Sequence, residues 1–264
     1  MRREPFYVFL LVATGASARA DTAVDAQLFH PALDGNGVLS IESARGLKQY
    51  AFGLRFGFNF AQTPLQLDII NEPGRDTVLS STATFDLGFS FGFTDKLTFA
   101  ADIPFMMQTL GPGYGTDAPY TPFTDPAQER PGTGIYSTRP DSNLGPSNRP
   151  MGDVRVGSKY QFLDGDFRAA AQAVVYVPFG DEDVFAGSPS FTYEPKLIVE
   201  YGLGSRGLVA LNAGARIRDG ALVQTRQLDA QGRVVLNAGG NPTYIDHLYV
   251  GSEAFLGLGA RVDI

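Results

Sequence analysis

The sequence predicts an all-β chain, a transmembrane antiparallel up-and-down β-barrel with eight strands visible, and three observations lead there. Segments of about ten residues alternate Phe, Leu or Val with Gly, polar and charged side chains; the connections between them are short and long by turns; an export signal precedes them all.

That signal comes first in the chain. Arg2 and Arg3 precede an apolar run from Phe6 to Ala13, and Ala18 and Ala20 supply the small residues a signal peptidase reads, so residues 1–20 are expected to be removed after Ala20. The apolar run is too short to span a bilayer as a helix, and no later run reaches the ~20 apolar residues that a helix needs. A chain of this kind crosses a membrane only as a barrel. Residues 21–49 follow, with an apolar cluster of Leu28, Phe29, Leu33, Leu39 and Ile41 that does not alternate; they read as a periplasmic segment placed to line or plug the barrel, which itself spans 50–264.

The first strand, Ala51 to Phe60, sets Phe52, Leu54, Phe56, Phe58 and Phe60 against Gly53, Arg55, Gly57 and Asn59, and an extended chain puts those sets on opposite faces. The second, Thr82 to Gly92, repeats the pattern with Phe85, Leu87, Phe89 and Phe91 against Asp86, Gly88 and Ser90. In the third, Leu97 to Phe105, Asp102 shares the polar face; in the fourth, Asp153 to Phe162, Arg155, Gly157 and Lys159 do. The fifth, Phe167 to Phe179, places Arg168, Gln172 and Tyr176 together. The sixth, Tyr193 to Tyr201, groups Glu194, Lys196 and Glu200; the seventh, Leu208 to Arg218, groups Asn212, Gly214, Arg216 and Arg218. The eighth, about Leu248 to Leu258, is least regular because Phe255 breaks its parity.

Connections after strands two, four and six are short (93–96, 163–166 and 202–207), and those after strands one, three, five and seven are long (61–81, 106–152, 180–192 and 219–244). Outer-membrane barrels pair short periplasmic turns with longer outside loops in this way. A soluble sandwich also alternates, so the direction of the faces has to be argued. The polar row is rich in Gly, which gives a solvated strand no benefit, and poor in Lys, Glu and Thr; small and charged residues inside a barrel, with Phe and Leu toward lipid, account for both. The expected lumen lining is then Arg55, Asp86, Asp102, Arg155, Lys159, Arg168, Glu194, Lys196, Glu200, Arg216 and Arg218, charges of both signs that either pair across the lumen or line a channel.

Composition removes several function classes. With no Cys there is no disulfide framework and little material for zinc, and a formal charge of -7 makes nucleic acid an unsuitable partner. Asp34-Gly35-Asn36-Gly37 matches the middle of a calcium loop, but Ala32 and Ser43 stand where its first and last carboxylates belong, so a tight turn is expected and no metal. Asp181-Glu182-Asp183 reads as a solvated outside loop. Gly202 to Gly207 spells a dinucleotide-type glycine pattern before a strand rather than a helix, hence a hairpin turn. Asp246 and His247 form the one neighbouring pair that an outer-membrane hydrolase reading could use. No enzyme activity and no cofactor are expected.

The stretches VDAQLFHPALDGNGVLSIESA (24–44), FGFTDKLTFAADIPF (91–105), GDVRVGSKYQFL (152–163) and SPSFTYEPKLIVEY (188–201) together resemble the N-terminal barrel of OmpA-family outer-membrane proteins of the myxobacterial, deltaproteobacterial type. The resemblance runs from about Val24 to the end and implies outer-membrane lipid, lipopolysaccharide and the barrel-insertion machinery as partners. In that family a peptidoglycan-binding domain often follows the barrel, and its last strand usually ends on an aromatic residue, whereas this sequence stops at Arg261-Val262-Asp263-Ile264. Two expectations stand side by side: a fragment of a larger barrel, or an eight-stranded one. Porin-like passage of small polar solutes is the functional expectation, with a barrel anchoring the outer membrane to peptidoglycan as the alternative.

Overall fold

In the computed structural model the described residues are 27, 29–68, 75–110, 151–180, 186–188, 190–204, 207–226, 235–240 and 243–262, with no side-chain description for 66–68, 75–78, 110, 221–226 and 244–248. The expected signal peptide, the Asp181 cluster and the side chains of Asp246 and His247 lie outside them.

Ten strands form among the described residues: β1 (Phe52–Asp68), β2 (Arg75–Gly92), β3 (Leu97–Leu110), β4 (Val154–Leu163), β5 (Phe167–Val177), β6 (Thr192–Gly202), β7 (Gly207–Arg216), β8 (Ala221–Arg226), β9 (Tyr244–Val250) and β10 (Glu253–Val262). Eight of them make one antiparallel sheet in the order β1-β2-β3-β4-β5-β6-β7-β10, curled as a half-barrel, and no helix occurs among the described residues. Strands β8 and β9 form a separate hairpin that prolongs β7 and β10. The all-β, up-and-down architecture is thus the one the alternation implies.

Four stretches differ from expectation. Met106 to Leu110, expected in a long connection, continue β3, and Ala221 to Arg226, expected in the connection after the seventh strand, form β8. Residues 61–68 and 75–81, expected in a loop, continue β1 and β2 as a paired hairpin, although their register shifts between Gln62 and Gln66 and again by Leu79. Main-chain pairing carries on past the apolar stripe, and only the stripe was visible as alternation. The expected eighth strand spans a break at Gly251 and Ser252, so that its first residues belong to β9 and the rest to β10. Phe255 turns to the polar face, where its ring lies over Gly214, its partner in register, and Lys196 Nζ stands 5.5 Å from the ring centroid. A cation-π seat, rather than a fault in the strand, explains its parity.

The usual distribution of burial is reversed. Asp102, Lys159, Glu194, Glu200, Arg155 and Asn212 are buried, while the large apolar side chains of the opposite face are exposed, Phe56 to 76% and Leu258 to 72%. What covers the polar face is the segment 29–49. Ile41 packs over Gly257 and Gly259 of β10, Glu42 bonds Asn212 of β7, Gly46 N donates to Gln161 of β4, and Leu47 N donates to Thr98 of β3 at 2.8 Å. From Ile41 to Leu47 the chain spans at most about 20 Å, whereas the six strands from β3 to β10, laid flat at ~4.8 Å spacing, would measure about 24 Å across. The sheet reaches all these partners because it curls round the segment.

Glycines on the polar face admit it. A Cβ at Gly157 would lie 2.6 Å from Leu33 Cδ2 and 2.9 Å from the Ala173 carbonyl oxygen, and one at Gly92 would clash with the Lys48 carbonyl oxygen. Gly157→Val is therefore expected to destabilise the folded chain by about 1–3 kcal/mol through overpacking. With no Trp to report, loss of the fast-migrating folded band across a urea series measures it. An unchanged midpoint would mean that Leu33 does not press on β4.

Candidate functional site

The eleven charged residues singled out in the sequence come together on the polar face of the sheet in three groups, and Lys159 stands between two of them. Alternation places them there: every second side chain of a strand shares a face, and antiparallel register brings the rows side by side.

In the first group, Asp102 of β3 is fully buried between two arginines. Arg55 Nη2 of β1 donates to its Oδ1 at 2.5 Å, and Arg155 of β4 donates to its Oδ2 through Nη2 at 2.6 Å and Nε at 3.2 Å. The same Arg155 Nη2 donates to the Pro31 carbonyl oxygen at 3.0 Å, so one guanidinium ties the wall to the covering segment. Asp86 of β2 is buried beside this group and accepts from Gln27 Nε2 at 3.4 Å and from Asn59 Nδ2 at 3.5 Å.

The second group centres on Glu200 of β6, fully buried. Its Oε1 accepts from Arg168 Nη1 at 3.0 Å and Arg45 Nε at 2.9 Å, and its Oε2 accepts from the Ser43 hydroxyl and from Ala44 N at 3.2 Å. Lys159 of β4 pairs with Asp34 and donates to the Ser43 carbonyl oxygen at 2.8 Å. Asn212 completes the seam with two bonds to one residue, accepting from Glu42 N at 2.7 Å and donating to Glu42 O at 2.9 Å, the exchange that two paired strands make.

The third group lies toward the long connections. Glu194 accepts from Tyr176 Oη at 2.9 Å and pairs with Lys196 and Arg216, each at 3.0 Å; Arg216 and Arg218 both reach Glu253 at 3.2 Å. Arg218 also donates through Nε to the Gly251 carbonyl oxygen, bracing the break between β9 and β10.

Chemically, these groups compensate most of one another's charge: Glu253 of β10 and Asp34 of the segment join the four carboxylates of the wall, and Arg45 of the segment joins its seven cations, so eight cations face six carboxylates. Burial makes each pair depend on its partner, because a charge taken out of water without compensation costs several kcal/mol. No group of three or more His, Cys, Asp or Glu suited to a metal occurs among the described residues. At the calcium-like stretch, Asp34 Oδ1 accepts from Asn36 N at 3.0 Å, an Asx turn, while the carboxylate also pairs with Lys159. Gly202 to Gly207 closes a hairpin, with Leu203 N donating to Gly207 O at 2.8 Å.

Sequence reasoning identified the wall charges but not their partners Asp34, Ser43, Ala44 and Arg45. The segment has no strand periodicity to announce a face, and its one legible signal, the Asp34 turn, points to local geometry rather than to Lys159.

His30 belongs to the covering segment, its ring edge-on to Tyr176 with centroids 5.6 Å apart. Burial, reinforced by the positive charges of Arg155, Arg216, Lys196 and Arg218, holds its imidazole well below the ordinary 6.5. A histidine whose basicity is depressed on folding takes up its proton more readily when released, so its contribution is intact above 6.5 and declines as pH falls below it. Packing of the segment is accordingly expected to loosen below about pH 6.5, with His30→Phe flattening the slope. Hydrogen exchange of residues 29–49 across pH 5 to 8 checks this; identical profiles for both chains would exclude His30 as the cause.

In comparisons with known proteins, no family model, no curated protein and no solved structure matches the chain.

Proposed function

We propose that the chain is a β-barrel protein of a bacterial outer membrane whose polar lumen is stoppered by its own residues 27–49, a sealed structural barrel at rest rather than a standing pore. The observation that carries the membrane reading is the reversal of burial: charged side chains inside, a continuous apolar face outside.

The dimensions fit. The outward stripe of β1 runs from Phe52 to Phe60, about 27 Å of strand at ~3.4 Å per residue and ~21 Å of height at a tilt of ~40°, close to the ~25 Å apolar band of such barrels. Exposed aromatic residues gather at both ends of the band, Tyr50, Phe93, Phe162, Phe167 and Tyr201 by the short turns and Phe179 and Phe191 by the long connections, where aromatic girdles belong. The edge strands β1 and β10 run antiparallel to each other, so each can complete the wall by main-chain pairing, as lipid requires of every amide. The resemblance to OmpA-family barrels and the export signal give the same compartment.

Sealing is supported by the segment's bonds to the wall charges, which leave few of them facing free space. Solute passage is the second reading, favoured by the polar character of that seam: ion pairs and hydrogen bonds can be exchanged for water where an apolar core cannot. Phe58→Arg tests the membrane reading. A cation toward the middle of the lipid face is expected to cost about 2–4 kcal/mol of folding stability in phospholipid vesicles. The same exchange on a soluble protein's exposed Phe, 62% accessible here, would be close to neutral. A neutral result in vesicles would remove the membrane reading.

A further inference from the structure

The wall has two ends. Among the described residues β1 and β10 each pair on one side only, and eight strands carry the sheet through half a circuit. Their outward side chains show the lack of a neighbour: Phe56 is 76% exposed and Leu258 72%, against 48% for Leu197 and 40% for Leu211 inside the sheet. The covering segment holds both ends in place, with Ile41 on Gly257 and Gly259 of β10 and Leu47 against Gly53 of β1. In lipid neither edge can stay unpaired, because its amides and carbonyls have no water to bond.

The register tells what fits them. Followed through Thr98, Lys159, Gln172, Lys196 and Gly214, it sets Gly92 of β2 level with Phe255 of β10; Gly92 N donates to the Ala51 carbonyl oxygen, so Phe255 is level with Ala51. A tilted wall does not rejoin at the same level: across eight strands at ~4.8 Å, a tilt of ~35–45° requires a stagger of about eight to eleven residues. Faces match only for even values. A stagger of about eight sets Phe255 opposite Asn59, and the whole of β10, Glu253 to Val262, opposite Ala61 to Phe52, the part of β1 before its register shifts. Phe56 then meets Leu258 on the outer face, and Arg55 meets Gly259 on the inner. A stagger of about ten would set Arg55 against Arg261, like charges directly opposed, and run β10 past Gln62 into the irregular stretch.

Any chain that offers β10 to β1 could use this stagger, and the half-circuit decides which one does. The chain's own edges stand across the lumen from each other. A second copy, turned about the barrel axis by half a revolution, brings its β10 to this β1 and its β1 to this β10, both antiparallel. We infer that the two edges are the interface between two copies of this chain, whose eight strands each close one barrel through two identical seams. This deepens the stoppered barrel and rests on that reading for the lipid that forbids open edges.

The sequence contains no Cys, so introduced thiols are the only ones. Directly opposed residues of antiparallel strands stand ~4.5–5.5 Å apart at Cα, within disulfide reach. Phe56→Cys and Leu258→Cys chains, mixed unfolded and refolded together in detergent micelles, are oxidised with copper phenanthroline and run on a non-reducing gel. About half of the protein is expected in a dithiothreitol-sensitive band of twice the monomer mass, because random pairing puts one of each variant in half of the dimers. Neither chain alone should give it, nor should Phe56→Cys mixed with Phe99→Cys, whose thiol lies on β3 inside the sheet. A chain carrying both Phe56→Cys and Leu258→Cys should link almost wholly as the dimer. If it links within one chain and stays monomeric, or if no link forms in a chain that inserts into vesicles, the second copy is overturned and the membrane wall stands. A linked dimer from a chain that never inserts keeps the seam and overturns the membrane reading instead.

Discussion

Removing residues 21–49 is expected to turn a silent barrel into a conducting one, with the current across a planar bilayer rising by at least an order of magnitude over the intact mature chain. The segment supplies Asp34 to Lys159, Arg45 and Ser43 to Glu200, and the Pro31 carbonyl to Arg155. Without it those wall groups face water, and a charge-lined lumen conducts. The excess of arginine and lysine among the wall charges would then make the opened barrel favour anions. A truncated chain that inserts and stays silent would leave the structural role alone standing; an intact chain that conducts steadily would show that the segment is not a stopper.

Glu200→Ala is expected to cost about 3 kcal/mol, the low end of the ~3–5 kcal/mol for breaking a buried pair, because Arg45 is partly solvated and carries less of the loss. Arg168, the Ser43 hydroxyl and Ala44 N lose their acceptor together. Urea titration of the folded band reads the loss, and adding Arg168→Met should restore part of it by removing the stranded cation. If the double variant is no more stable than the single one, the cost lies with the segment rather than with Arg168. Comparing both in the chain without 21–49 separates the two.

Much of the fold could be read because a strand advertises its faces one residue at a time: Phe52 to Phe60 and Phe85 to Phe91 announced β1 and β2 without reference to anything else in the chain. Where that advertisement lapsed, so did the reading. From Ala61 the Phe row ends, Pro64 interrupts it and the register shifts between Gln62 and Gln66, so main-chain pairing with β2 is what carries the strand on to Asp68. Phe255 looked like a lapse because its seat is built by Gly214 and Lys196 on two other strands. The wall charges were visible for the same reason as the strands, but their pairing depends on which residues curl to within reach. Nothing local says that Glu200 should find Arg45, 155 residues earlier.

Those separations have a consequence in time. The bond between Glu42 and Asn212 joins residues 170 apart, and Ser43 must wait 157 residues for Glu200. A chain emerging N-terminus first offers the segment before any strand that will hold it, and closure of such long loops is slow. The segment therefore acts as a mandrel: it cannot lock until β6 and β7 arrive, and once they do, their pairing round it fixes the curvature of the wall. Supplied separately as a peptide to a chain that lacks it, it would come too late to set that curvature, and refolding yield, not final stability, would record the difference.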